Sequence, residues 1–436
     1  MPTTNTQNIA IIGAGITGIT TAYTLLKRGY TVTVFDRNPY AAMETSFANG
    51  GQLSASNAEV WNSWPTILKG LKWMFKPGAP LLVRPKPDWH KLSWMAEFMA
   101  AIPQYRDNTV STVRLAIEAR QHLRRMAQDE GIDFNCEDRG ILHFYRTKAE
   151  FDQATKVTAL LREGGLERRA VTPAEIKALE PALKGDVYGG FYTESDFTGD
   201  IHKFTNGLAD ACGRLGADLR FGTDVVDVQT VKGGVRIVSK PSDSTGEGST
   251  ADEVFGRIVV CSGVMSRGLA SRLGDRLNVY PVKGYSITVN LDTEQDQAAA
   301  PWTSLLDDHT KLVTSRLGVD RFRVAGTAEF AGNNRDITWD RIQPMIDWCR
   351  THFPGMSTRQ CVPWAGLRPM MPNMMPRVGQ GRHSRVFYNT GHGHLGWTLS
   401  AATAELLANA VDSCEVESEA AVTQPVIKPA IAGQAA

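Results

Sequence analysis

A chain of 436 residues, 42% of them hydrophobic, can bury more core than one ordinary domain holds, so two domains are expected. Its 47 basic and 46 acidic side chains leave a formal net charge of +1, which removes any bulk electrostatic case for nucleic acid or an anionic membrane. Six cysteines, Cys136, Cys212, Cys261, Cys349, Cys361 and Cys414, form no CxxC pair, so neither a disulfide framework nor a zinc ribbon is indicated and a reduced, cytoplasmic chain is expected. The polar leader "MPTTNTQ" lacks the charged and apolar regions of a secretion signal, and no run of about 18 apolar residues suggests a spanning helix.

The first element pattern is "NIAIIGAGITGITTAYTLLKRGYTVTVFDR": an apolar strand, Gly13-x-Gly15-x-x-Gly18, an amphipathic helix ending at Gly29, a second strand and Asp36. This is a complete strand-helix-strand unit for a dinucleotide. Gly13 permits the tight turn, Gly15 lets the backbone approach a pyrophosphate, Gly18 allows close helix packing, and the helix amino end offers free amides. Asp36 suits the ribose hydroxyls and repels a 2′-phosphate, which disfavours NADP and leaves FAD or NAD.

The next stretch, "RNPYAAMETSFANGGQLS", places small and polar residues, among them Thr45, Ser46, Asn49, Gly50, Gly51 and Gln52, where a long cofactor could lie. Here the chain resembles the flavoprotein D-amino acid dehydrogenases, a branch of the D-amino acid oxidase and glycine oxidase superfamily, in which a TSxANxGQ stretch follows the ribose acid and runs along FAD. The segments "ESDFTGDIHKFTNGLA", "RIVVCSGVMSRGL", "VYPVKGYSITV", "FRVAGTAEFAGNN", "PWAGLRPMMPNMMP" and "NTGHGHLGW" extend the likeness over nearly the whole chain. The resemblance implies FAD contacts at Ile16, Thr17, Arg37, Leu53, Val226 and Gly263 besides the residues already named. It also implies a small amino acid substrate and a quinone or other electron acceptor.

The fold class implied is α/β and α+β: a discontinuous FAD-binding Rossmann-type domain over 1–60, 198–268 and 362–412, and a mixed-sheet substrate domain over 61–197 and 269–361. The strand "RIVVCSG", ending in a glycine turn, supports this independently. The stretch "KPSDSTGEGSTADE" (240–253) reads as a polar hairpin loop, and 413–436 as a disordered tail without apolar periodicity. Five of the ten tryptophans fall between Trp61 and Trp94, interleaved with Lys69, Lys72 and Lys76. Two readings stay open: a helix packed on its own domain, or peripheral contact of 61–94 with the inner face of the cell membrane.

Nothing near "GHGHLGW" supplies further ligands at metal spacing, so no metal is expected at His392 or His394. The resemblance places Gly391, His392, Gly393, Leu395, Gly396 and Trp397 in a loop at the flavin, followed by the helix "WTLSAATAELLANAV". The amino end of that helix would stabilise negative charge on the flavin ring. In "WAGLRPM" Arg368 matches the family arginine that grips the substrate carboxylate as a bidentate fork. Tyr285 and Lys283 in "PVKGYS" match the lining of the catalytic pocket. One departure stands out: after the arginine the family has Pro-Asp-Gly-Thr-Pro, whereas here Asn373, Met374 and Met375 follow. Methionine in place of glycine disfavours a positive φ and adds flexible apolar bulk beside the expected pocket. Oxidative deamination of small D-amino acids is the expected function. Its alternatives are oxidation of a cyclic or secondary amino acid of the D-proline or hydroxyproline type, and a non-catalytic flavin-fold subunit.

Overall fold

A computed structural model describes residues 7–74, 79–83, 88–243 and 250–414. Residues 415–436 of the expected tail, the middle of the polar loop (244–249), and 75–78 and 84–87 of the tryptophan-rich segment lie outside the described residues.

Two strand runs near the amino end, "NIAII" (Asn8–Ile12) and "TVTVF" (Thr31–Phe35), are buried and β-branched, the pattern of strands covered on both faces. They lie in a six-stranded sheet ordered Arg377–Gln380, Val386–Thr390, Arg257–Val260, Asn8–Ile12, Thr31–Phe35 and Asp218–Arg220. All neighbours are parallel except the first pair. Helices Ile16–Lys27, Tyr105–Glu130, Ile201–Arg214 and Gly396–Ser413 bury one apolar cluster around Ile19, Leu123, Phe204 and Leu407 against this sheet. The opposite face carries the antiparallel strands Thr223–Val231, Gly234–Pro241 and Ala251–Phe255. The last two of these flank the expected hairpin loop.

A second sheet of nine strands is mixed. Its order is Cys361–Met370, Tyr280–Asn290, Arg321–Phe330, Leu312–Arg316, Ser304–Asp307, Ile141–Tyr145, Gly189–Thr193 and Arg169–Val171, with Leu81–Val83 added to Arg321–Phe330. Helix Trp339–His352 packs on it through Ile342, Met345 and Cys349.

Two boundaries differ from the sequence reading. Cys361–Met370, assigned mostly to the cofactor segment 362–412, pairs along its length with Tyr280–Asn290 in the second sheet. Helix Tyr105–Glu130, assigned to 61–197, buries Leu123 and Met126 in the nucleotide-side cluster. Each element follows its apolar contacts rather than its place along the chain.

The tryptophan-rich segment divides. Trp94 is 3% exposed and donates from Nε1 to Met370 O at 2.8 Å. Trp64 and Trp89 are 60% and 80% exposed, with exposed Leu68, Leu92 and Met99 beside them in helices Trp64–Met74 and Trp89–Ala100. Among the described residues no helix is long and apolar enough to cross a membrane.

Candidate active site

A cavity of about 1350 Å³ runs from the first glycine turn to Arg368 and beyond. At its nucleotide end Gly13 has φ +109°, and an added Cβ would lie 2.7 Å from the Cys261 carbonyl oxygen. Gly18 does not line the cavity: its Cα faces the Gly13 carbonyl so closely that a Cβ would overlap it. Gly15 is different, because the one atom an added Cβ approaches is Ser46 Oγ at 3.5 Å, leaving the space above it to the cavity. The Ile16 amide donates to the same Ser46 Oγ at 3.1 Å, and Thr17 completes this wall.

Asp36 accepts from the Ala14 amide (2.7 Å) and the Asn38 amide (2.8 Å), and burial raises its pKa in spite of these bonds. Arg37 pairs with Glu44 at 2.5 Å. Thr45 Oγ1 donates to Leu367 O at 2.7 Å, tying the cofactor stretch to the strand that carries Arg368. Asn49 Oδ1 accepts from Gly51 N at 2.9 Å, and Ser315 Oγ donates to Gly50 O at 2.6 Å, which shapes this stretch into the cavity floor. Gln52 donates to Ser304 Oγ, while its buried Oε1 has no partner among the described residues. Val226 and Gly263 also line the cavity. Leu53 does not; it is fully buried in the core.

The loop Gly391–Trp397 forms the other wall, with Gly391 and Gly393 at φ +78° and +60°. Helix Gly396–Ser413 runs on from the short turn Gly393–Leu395 without a side-chain cap, and its first residues, Gly396, Trp397 and Thr398, line the cavity. Buried Trp397 Nε1 is likewise unpartnered among the described residues. An open glycine cradle, an acid beyond the second strand, orphaned polar atoms and an uncapped helix start fit a dinucleotide with a polar ring.

Neither histidine of the loop belongs to a metal cluster, and among the described residues no group of three or more potential ligands exists. His392 is buried and bonds Thr403 Oγ1 through Nε2 at 3.0 Å. Burial depresses its pKa to about 3. His394 stacks on Trp61 with centroids 4.6 Å apart, and burial, helped by nearby Arg368, depresses it to about 4. Both rings are neutral at pH 7. For His392 the folded state holds the proton-free form while the unfolded chain binds a proton below about 6.5, so stability present at pH 7 is lost as pH falls toward 3. Chemical unfolding at pH 4.5 should show a loss of roughly 2–3 kcal/mol from this residue, absent in His392→Gln. An equal acid loss in the variant would contradict the buried neutral ring.

On the substrate side, Arg368 lines the cavity and donates from Nη1 to Thr327 O (2.7 Å) and from Nη2 to Gly326 O (3.3 Å). Among the described residues no carboxylate pairs with it, and burial lowers its pKa to about 10. Its guanidinium lies over Gly284, where an added Cβ would come 2.5 Å from Cζ. Thr327 has φ +57°, a strained conformation for a β-branched residue, and lines the cavity. Tyr285 lines the cavity as well, and its hydroxyl donates to Glu329 Oε2 at 2.6 Å. Lys283, expected beside it, does not line the cavity. Adjacent residues of a strand face opposite ways, but a bulge between Lys283 and Tyr285 leaves Gly284 and Tyr285 facing the cavity while Lys283 turns to Glu329 (3.4 Å) and the Asn334 loop.

The Asn373-Met374-Met375 departure does not reach the cavity. Met374 adopts φ +64°, the left-handed conformation that glycine would take freely, and its side chain is 6% exposed in a cluster with Trp94 and Tyr280. This removes the ground for a bulkier or cyclic substrate. Met374→Gly relieves about 1 kcal/mol of backbone strain but empties a packed site worth about 2–5 kcal/mol, so it should lower Tm and leave substrate preference unchanged. A rise in Tm would contradict this. The Gly326–Thr327 carbonyls and the Trp61–His394 wall went unnoticed in the sequence, although "GTAEF" does carry a glycine in mid-strand, the usual mark of a close approach.

Together the nucleotide cradle and an arginine without a carboxylate partner among the described residues fit a dinucleotide-dependent oxidoreductase. The FAD dependent oxidoreductase (DAO) family model matches residues 8–410, and the chain belongs to that family. It is 59% identical over 403 residues to D-amino acid dehydrogenase 3 of Mesorhizobium japonicum, covering 92% of this chain and 96% of that one. It is 39% identical over 420 residues to the D-amino acid dehydrogenase of Dechloromonas aromatica, covering 95% and 99%. Its fold is similar to glycine oxidase from Bacillus cereus (TM-score 0.69, 19% identity, 94% and 96% covered) and to L-proline dehydrogenase from P. horikoshii (TM-score 0.71, 14% identity, 94% of each). FAD, not NAD, is therefore the cofactor.

Proposed function

We propose that the protein catalyses FAD-dependent oxidative deamination of D-amino acids, giving a 2-oxo acid and ammonia and passing electrons to an acceptor other than oxygen. The observation that carries the reading is Arg368: a guanidinium on the cavity wall that, among the described residues, is bonded only to two carbonyls, in the same cavity as the nucleotide cradle. A desolvated cation without a counter-ion among the described residues suits a substrate carboxylate, which its fork can take bidentately. The handedness rests on the two relatives named D-amino acid dehydrogenase.

FAD held by the glycine cradle, the Thr45–Gln52 stretch and the Gly391–Trp397 loop would supply a two-electron oxidant for the substrate Cα–H bond. The chain's own part is positioning. Arg368 fixes the carboxylate, Gly284 allows its guanidinium to lie flat, and Tyr285 closes one side with its hydroxyl held by Glu329. Trp61 and neutral His394 form another part of the wall, and the uncharged imidazole adds no positive charge beside Arg368. The start of helix Gly396–Ser413, which has no side-chain cap and lines the cavity, would stabilise negative charge on a reduced ring. Holding Cα, carboxylate and ring in one geometry is worth several kcal/mol without an added base.

The acceptor is a quinone or a similar carrier, and exposed Trp64, Leu68, Trp89 and Leu92 form the face that contacts the membrane interface. Incubating the protein with D-alanine and a soluble quinone analogue should yield pyruvate and ammonia in equal amounts, with little peroxide in air. Rapid peroxide formation would make it an oxidase, and a flavin that no amino acid bleaches would leave a non-catalytic subunit.

A further inference from the structure

Lys283 is fully buried, lies behind Tyr285 without lining the cavity, and has a use that the chemistry at Arg368 does not require. Its Nζ lies 3.4 Å from Glu329 Oε2, the same oxygen that accepts the Tyr285 hydroxyl. The same Nζ donates to Asn334 Oδ1 at 2.8 Å and Asp336 O at 3.0 Å, in the coil that follows strand Arg321–Phe330. That coil is further ordered by the Asp336 amide on Asn334 Oδ1 (3.1 Å), by Asn334 Nδ2 on Asp336 Oδ2 (2.7 Å) and by the Gly332 amide on Tyr280 Oη (3.2 Å). Between the two residues that Lys283 grips stands Arg335.

Arg335 Nη1 reaches Glu44 Oε2 at 2.6 Å, and Glu44 Oε1 accepts from Arg37 Nη2 at 2.5 Å. Arg37 follows directly on Asp36 at the nucleotide end, and Arg37, Glu44 and Arg335 all line the cavity. The three charges thus bridge from the substrate sheet to the nucleotide stretch across the cavity mouth. Burial opposes ionisation of Glu44, but the bonds from Arg335 and Arg37 outweigh it and hold its pKa below the usual range. All three side chains are a third to a half exposed, so the clasp is screened by salt while its buried anchor is not.

We propose that Lys283 is a positioning residue for cofactor retention: it holds the 331–338 coil so that Arg335 closes on Glu44 over the nucleotide end of the cavity, and opening of that clasp sets the rate of FAD release. The inference depends on FAD binding and is independent of which amino acid is oxidised.

The test is the rate at which FAD leaves the holoenzyme, followed by recovery of free-flavin fluorescence after dilution at low and high salt. Wild type should release FAD several-fold faster at 0.5 M than at 0.05 M salt. Arg335→Gln should release it about fivefold faster at low salt with the salt dependence gone, Glu44→Gln should behave alike, and the double variant should be no faster than either. Lys283→Met should show the same flattened salt response, with KM for D-alanine within about twofold of wild type. If Lys283→Met fails to fold, Asn334→Ala reads the same link without stranding a buried charge. A wild-type release rate and salt response in Arg335→Gln would overturn the clasp. Lowered Tm with unchanged release and salt response in Lys283→Met, or in Asn334→Ala, would overturn the positioning role and leave Lys283 as packing alone.

Discussion

Truncating Arg368 to alanine is expected to lower kcat/KM for the D-amino acid by about 30-fold to several thousand-fold, the equivalent of roughly 2–5 kcal/mol for a buried charge that loses its partner. In this cavity the guanidinium meets no protein carboxylate among the described residues, so its bonding capacity is left to the substrate. Arg368→Lys should be the milder change and should act mainly on KM. A point charge keeps the attraction and loses the planar fork that fixes the direction of the Cα–H bond. Steady-state kinetics with D-alanine separates the two. An alanine variant with unchanged kcat/KM would exclude the role.

Gly284→Ala should cost nearly as much without touching a charge. Its new methyl would arrive 2.5 Å from Arg368 Cζ, and Gly284 is held by its pairing with Gly366 in Cys361–Met370 while it stands at the bulge toward Arg321–Phe330, so the guanidinium is the group that moves. The guanidinium has to leave its two carbonyls. A displacement of about 1 Å in a positioning group costs on the order of 100-fold in rate. Loss should appear in kcat/KM with FAD content unchanged, which separates it from damage to the nucleotide end. Normal kinetics in this variant would mean that Arg368 works from another position.

The nucleotide end was legible because its chemistry is written in consecutive residues. The cradle Gly13, Gly15 and Gly18 and the acid Asp36 belong to one strand-helix-strand unit, whose backbone demands at Gly13 and Gly18 only glycine can meet. Gly391–Trp397 and Gln52 were reached through resemblance, and their chain segments adjoin the cradle only in three dimensions. The substrate end was harder. Arg368 could be named, but not the Gly326 and Thr327 carbonyls that aim it, since backbone acceptors carry no sequence signature beyond a glycine in mid-strand. Lys283 was misplaced for a local reason: a bulge between it and Tyr285 breaks strand alternation, and bulges leave little trace in residue type. The methionine departure misled in the same way. Its side chains turn into the Trp94 cluster, and Met374 takes the left-handed conformation in spite of its Cβ. Domain boundaries slipped where a strand or helix joined the core its apolar face matched instead of the one next to it in sequence.

Oxidation of D-configured amino acids at an FAD held in this cavity is most directly tested by anaerobic mixing of the purified yellow protein with D-alanine and, separately, L-alanine, with the flavin absorbance followed in time. Rapid bleaching by the D-enantiomer, absent with the L-enantiomer and lost in Arg368→Ala, is the expected result. Bleaching by the L-enantiomer alone, or by neither across a panel of paired D- and L-amino acids, would contradict it.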